Sequence, residues 1–304
     1  MKKETKNIKA SVRARLQNKA KEEERPFSEI LQYYGMESFL YRVSQSKYAG
    51  IFVLKGALMF MVWHVPERRT TLDIDFFAQY DNKIASIEKM LKDICKINVV
   101  SDGLIFDITS VKGKRIKEDA DYGGVRVKFV GLLERSRIPM QIDIGFGDSI
   151  YPKPKMIEYP VILDFPKPKL KGYPAESIIS EKFEAMIKLG LLNNRMKDFY
   201  DIWLMMRQFD FNGGRFIEAL KRTFKQRKTP LPQHKPLFAE EIYDEKSDRQ
   251  TLWKALLNKA DIKHAPEKLN TTAKAIEKFL IKPLNAINKG EKFNEKWKAS
   301  GPWS

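Results

Sequence analysis

Two aspartates one residue apart, Asp73 and Asp75 in "RRTTLDIDFF", have the type and spacing to hold a metal. In an extended strand alternate side chains share a face, so both carboxylates project together with Thr71 and Phe77. Leu72, Ile74 and Phe76 take the other face. The two aspartate Cα atoms stand roughly 6.5–7 Å apart in such a strand. At that separation the carboxylates converge on a divalent cation, and they repel each other without one. "MQIDIGFGD" repeats the pattern, with Ile142, Ile144 and Phe146 on an apolar face and Asp143 pointing away from it beside Gln141. Set next to the first strand, Asp143 becomes a third carboxylate. Asp107 in "LIFDIT" is its rival, and Asp148 reads as a cap of the following turn. Three carboxylates on adjacent strands can hold two metal ions, which stabilise the attacking and leaving oxygens of phosphoryl transfer. The plainer alternative is the solvated face of an edge strand, weakened by the apolar residues on both sides.

Cations are placed in a matching pattern. A strand, then Lys55-Gly56, then a helix precedes the aspartates. Gly56 permits close backbone approach, and the first helical amides form an anion seat. In "AESIISEKFEAMIKLG", Lys182 stands on the apolar stripe of a helix, between Ile178 and Ile179 before it and Ala185 and Met186 after it. It is either a lysine whose charge reaches out to water or a partly buried ammonium aimed at a triphosphate. In "NNRMKDFYDIW", Arg195, Asp198 and Asp201 follow at intervals of three and share one helix side. They read as a surface pair or as a charged cluster in which Asp198 orients Lys182 or the nucleotide.

The elements that must position these groups follow from periodicity. Residues 1–25 are charged and read as a frayed helix or arm, followed by a helix over 27–50. Strands are expected at "IFVL", "TLDIDFF", "LIFDITSVKGKRI", "GVRVKFVGLL" and "IPMQIDIGF", with helices over "ALMFMVWHV" and 82–97. Pro152, Pro154, Pro160, Pro166, Pro168 and Pro174 suggest an extended linker. From Ala175 onward the pattern is helical, over 175–192, 195–209, 214–225, 248–259 and 270–287, and "KFNEKWKASGPWS" reads as a loosely held tail. The expected organisation is α+β: a domain over 1–170 with a helical arm over 1–50, then an α-helical domain over 171–304.

Composition narrows the partners. The 304 residues carry 56 lysines and arginines against 39 acidic residues, a formal charge of +17, which favours a polyanion and, of those, nucleic acid. A single cysteine, Cys95, excludes disulfides and thiolate zinc sites, and the three histidines lack ligand spacing. No secretory signal is read at the start, and the longest apolar run is too short to span a bilayer. A cytoplasmic protein with no membrane partner is expected.

Together, "LKGAL…RRTTLDIDFF", "IPMQIDIGFGD", "YPAESIISEKFEAMIKLG" and "NNRMKDFYDIW" resemble the motifs of the AbiEii/AbiGii toxin family, part of the DNA polymerase β nucleotidyltransferase superfamily. The resemblance runs over residues 50–207. It implies a nucleotidyltransferase-type mixed β-sheet flanked by helices, ahead of the helical domain. It also implies a nucleotidyltransferase toxin of an abortive-infection, phage-defence toxin–antitoxin system with a cognate antitoxin. Several members transfer nucleotides, often pyrimidine ones such as those from CTP, to the 3′ end of tRNA and so block translation. Asp73 and Asp75 would then hold Mg²⁺, with Asp143 as a further acidic member. Lys182 would meet the phosphates of the NTP, and Asp198 would complete the active site. One departure stands out: the superfamily turn carries Gly-Ser or Gly-Gly, whereas this chain has Gly56-Ala57. Phosphate binding there must rest on backbone amides, Lys55 or Arg69, with Arg195 near Lys182 as a further cation. Rival readings are a catalytically silent NTP- or RNA-binding protein, a nucleotidyltransferase that modifies protein, and a non-enzymatic scaffold.

Overall fold

The polar N-terminal stretch folds as helix α1 (Ile8–Glu22), opened by the Asn7 side chain, which accepts a hydrogen bond from the Ala10 amide at 3.2 Å. Val12, Leu16 and Ala20, spaced four apart, are buried, so the expected frayed arm is instead a packed helix. The computed structural model describes residues 7–119 and 122–304; residues 1–6 of the expected arm lie outside the described residues. Contacts divide the chain into two units. The first holds the described residues up to His64, Thr71–Gly147 and Lys155–Gly172; the second holds Val65–Thr70, Asp148–Pro154 and Tyr173–Ser304.

The first unit is built on a sheet. After α2 (Phe27–Gln45), β1 (Phe52–Lys55) enters a 3₁₀ turn (Gly56–Leu58), and α3 (Met59–Val62) is one turn long, shorter than the periodicity suggested. Then come β2 (Ile74–Ala78), α4 (Ile84–Cys95), β3 (Ile105–Asp119), β4 (Tyr122–Leu133) and β5 (Ser136–Gly145). β6 (Lys155–Glu158) and β7 (Lys169–Gly172) come from the stretch expected to be a linker. Its prolines flank these strands rather than interrupt them, so no ladder hydrogen bond is lost. The seven strands run in the order β3-β4-β5-β2-β1-β7-β6, with β2–β5 and β1–β7 parallel and the other neighbours antiparallel. One face is apolar, carrying Val125, Val127, Ile142, Ile144, Ile74 and Phe76, all buried. α2 and α4 cover it: Gly35 of α2 lies against Ile138 and Met140, and Gly113 of β3 against Ile84 and Glu88 of α4. The other face carries the charged residues described below.

The second unit is mainly helical: α5 (Ala175–Leu189), α6 (Met196–Gln208), β8 (Phe211–Asn212), α7 (Gly213–Gln226), α8 (Glu240–Tyr243), α9 (Asp248–Lys259), α10 (Leu269–Lys289) and β9 (Lys296–Trp297). The end of the chain is not loosely held. Phe293, Trp297 and Trp303 are buried around Phe279, whose ring stacks on that of Trp303 at 5.6 Å. The Trp303 indole donates to the Phe279 carbonyl at 2.7 Å, and that of Trp297 to the Met206 carbonyl at 2.6 Å. Apolar area and satisfied indole N–H groups outweigh the entropy of ordering this short segment. Asp148, expected as a turn cap, is instead ion-paired with Arg227 at 2.9 Å. No helix among the described residues is long and apolar enough to cross a membrane.

Candidate active site

The turn after β1 fixes the first part of the site. Gly56 has φ +70°, a left-handed conformation that side chains disfavour. A Cβ on it would lie 2.7 Å from Asp75 Cγ, closer than real atoms approach. The position therefore needs glycine twice over, for backbone conformation and for space against a carboxylate.

Strand register does the rest. Lys55 pairs with Asp75 across β1–β2, Asp75 with Asp143 across β2–β5, and Arg126 with Asp143 across β4–β5. Registered partners project to the same face, so a file of charges crosses four strands: Arg126, Asp143, Asp75, Lys55. Asp73 sits just ahead of β2, where the Thr71 hydroxyl donates to its Oδ1. Because β2 begins only at Ile74, Leu72 escapes the alternation expected of it and is 66% exposed. The outcome is a convergent trio: Asp73, Asp75 and Asp143 each offer an oxygen, all within 4.8 Å of one another. Asp107, the rival third carboxylate, is half-buried on β3, where its Oδ1 accepts from the Thr109 amide at 2.9 Å.

Arg126 is the residue that sequence reading missed. Its Nε and Nη2 donate to Asp143 Oδ1 and Oδ2 at 2.8 and 2.6 Å. That hydrogen-bonded pairing raises the Arg126 pKa above its ordinary value against a smaller burial penalty, and the fields of Asp73 and Asp75 add to it. The alternation in "GVRVKF" contained the signal, since Val125 and Val127 on the apolar face leave Arg126 on the carboxylate face. The donor set suits a hard divalent cation: three carboxylates, all oxygen donors. Each Asp143 oxygen bonded to Arg126 keeps a second lone pair.

The second unit holds its own charge cluster. The Lys182 Nζ lies 2.6 Å from Asp198 Oδ1 and 2.9 Å from Asp201 Oδ2. Arg69 forks onto Asp201, its Nε and Nη2 each 2.9 Å from one oxygen, and Arg195 Nε lies 2.6 Å from Asp198 Oδ2. Lys182 is thus neither snorkelling nor solvated; its side chain is 14% exposed and that of Asp201 is fully buried. Burial opposes the charge of Lys182, but Asp198 and Asp201 outweigh it and hold its pKa above the ordinary 10.5. Burial likewise opposes ionisation of the aspartates, yet Lys182 and Arg195 hold Asp198, and Arg69 and Lys182 hold Asp201, below the ordinary 3.8. Sequence spacing brought Arg195, Asp198 and Asp201 together; it gave no hint that Arg69, more than a hundred residues earlier, pairs with Asp201.

No curated protein matches the chain. Two solved structures are similar at a distance. One, an H. pylori protein described as a nucleotidyltransferase candidate, has a TM-score of 0.43 at 16% identity, over 84% of this chain and 96% of that one. The other, JHP933 from Helicobacter pylori, has a TM-score of 0.41 at 16% identity, over 84% and 94%. Neither likeness is close enough to argue from. The family model of the nucleotidyl transferase AbiEii toxin of type IV toxin–antitoxin systems matches residues 38–280, most of the chain. This chain belongs to the AbiEii family of toxins and is a nucleotidyltransferase.

Proposed function

We propose that the chain transfers a nucleoside monophosphate from an NTP to an RNA acceptor, the 3′ end of tRNA, in a Mg²⁺-dependent reaction that stops translation. The observation that carries this reading is the convergence of Asp73, Asp75 and Asp143 within 4.8 Å on one sheet face. Three acidic side chains placed together repel each other, an arrangement suited to a cationic ligand. Phosphoryl transfer at such a set is served by a divalent cation, whose Lewis acidity stabilises the phosphoryl oxygens.

Asp73 and Asp75 hold the metal, and Asp143, itself gripped by Arg126, is the third ligand. Lys55 and the backbone turn at Gly56 steady the triphosphate on the sheet unit. In the helical unit, Asp198 keeps Lys182 charged and oriented within the cluster that Arg69 and Arg195 complete. The acceptor hydroxyl oxygen bonds to the α-phosphorus as the bond to the α–β bridging oxygen breaks. Pyrophosphate leaves with that electron pair, and the hydroxyl proton passes to a carboxylate of the trio. The nucleotide is a pyrimidine, CTP first, and a cognate antitoxin of the type IV system opposes the toxin.

The test is incubation of the protein with each labelled NTP, Mg²⁺ and total tRNA. Label should enter the RNA with the wild type and with no chelator present. Label absent from RNA, or undiminished transfer by Asp75→Ala, would sink the reading.

A further inference from the structure

On the face that carries the carboxylate trio, the sheet unit places cations directly opposite cations. Lys112 pairs in register with Lys128, and Lys114 with Arg126, across β3–β4. The file that holds the trio therefore continues outward as Asp143, Arg126, Lys114, with Lys128 and Lys112 in the next file beside Gln141. Lys112, Lys114 and Lys128 are exposed. Among the described residues no carboxylate makes an ion pair with any of the three; Arg126 alone of the four is shown in one, with Asp143.

Like charges facing each other across a ladder destabilise it. Edge strands do carry lysines to prevent sheets from pairing edge to edge, which accounts for Lys112 and Lys114 on β3. It does not account for Lys128, because β4 is paired on both sides, to β3 and to β5. Repulsion placed on an interior strand, beside a site for phosphoryl transfer, has a ligand-based explanation: the block is discharged by an anion that lies across it.

We propose that Lys112, Lys114, Lys128 and Arg126 form a platform for the phosphodiester backbone of the RNA acceptor strand, leading it to the carboxylate trio. The proposal rests on the transferase reading above and names the surface that reading lacks. The block is two strands wide and two files deep, with files roughly 6.5–7 Å apart. A strand with phosphates at regular intervals suits that extent better than the grouped phosphates of one nucleotide, for which the file at Asp75 and Lys55 is the nearer seat.

The experiment uses a triple variant, Lys112→Ala with Lys114→Ala and Lys128→Ala, and a charge-matched control. The control is Lys83→Ala with Lys89→Ala and Lys96→Ala, at and beside α4 on the opposite face of the sheet. All six lysines are exposed, so both proteins are expected to fold. Binding of a fluorescein-labelled single-stranded RNA with a free 3′-hydroxyl is measured over a range of salt, and binding of CTP with Mg²⁺ by calorimetry. The platform variant should bind RNA at least about tenfold more weakly at low salt, with a salt slope shallower by about 2, from about 0.7 per lost phosphate contact. The control should keep most of both, and CTP binding should be unchanged in both.

An unchanged salt slope in the platform variant overturns the proposal, as does an equal loss in the control. A parallel loss of CTP binding overturns it in favour of a nucleotide seat. These readouts need no turnover. A wild type that binds RNA through this face but transfers no nucleotide would sink the proposed function and leave the platform standing. A wild type that transfers while the platform variant keeps its RNA slope would sink the platform alone.

Discussion

The sheet unit and the helical unit handle the same chemical groups in opposite ways. In the helical unit each aspartate is set between cations: Asp198 between Lys182 and Arg195, Asp201 between Arg69 and Lys182. In the sheet unit three aspartates converge within 4.8 Å of one another, with Arg126 forked onto Asp143 at their side. The first arrangement balances each carboxylate with cations of the protein; the second gathers three carboxylates, and the proposed metal site rests on that gathering. The difference teaches that a buried ion-pair network and a ligand site are told apart by how charge is balanced, not by how much charge is present.

The comparison makes opposite demands on substitutions, and the largest effect is on the helical side. Lys182→Met leaves Asp198 and Asp201 buried with one cation fewer, and should cost about 3–5 kcal/mol of stability by urea denaturation followed by circular dichroism. Asp75→Asn should do the reverse, lowering NMP transfer at least about a hundredfold while the calorimetric melting midpoint changes little, because a like-charge contact is relieved. If Asp75→Asn unfolds the protein and Lys182→Met does not, the contrast collapses.

Smaller effects sharpen it. Gly56→Ala forces a side chain into a left-handed turn and onto Asp75, and should cost about 1–3 kcal/mol and reduce transfer with it. Arg126→Met leaves Asp143 in place without its fork, and transfer should fall about tenfold, with a higher Mg²⁺ concentration needed for half-maximal rate. An unaltered Mg²⁺ dependence would remove Asp143 from the ligand set.

The smallest effect is the pH response of the helical cluster. Asp198 and Asp201 have pKa values below the ordinary 3.8, so the stability they contribute is present above 3.8 and is lost as pH falls through their depressed values. Lys182 is raised above 10.5, so its contribution is full below 10.5 and is lost as pH climbs through the raised value. Between about pH 5 and pH 9 the cluster's contribution should be flat. A wild-type minus Lys182→Met stability difference that slopes across this window would contradict the pairing.

How much of this was legible in the residues depended on the range of the signal. Alternation over "TLDIDFF" and "MQIDIGFGD" put Asp73, Asp75 and Asp143 on one face, because a strand's period of two is a local property. Helical spacing likewise exposed Lys182 as a misplaced charge and grouped Asp198 with Arg195 and Asp201. Register is not local. Alternation in "GVRVKF" gives Arg126 its face but not its partner Asp143, which only the register supplies, and nothing near Arg69 announces Asp201. The prolines of 152–174 misled because they mark where strands begin and end as readily as where structure stops. The charged tail misled because two tryptophans outweighed its polar composition.

Those tryptophans have a practical consequence for spectroscopy. Of the five in the sequence, Trp203, Trp253, Trp297 and Trp303 belong to the helical unit and are buried there, while Trp63 alone belongs to the sheet unit and is half-buried. Intrinsic emission is therefore largely a reporter on one unit. A red shift in denaturant will mark exposure of the helical indoles. Loss of the sheet can proceed almost silently at the same wavelength, so two midpoints, one optical and one from backbone absorption, separate the melting of the two units.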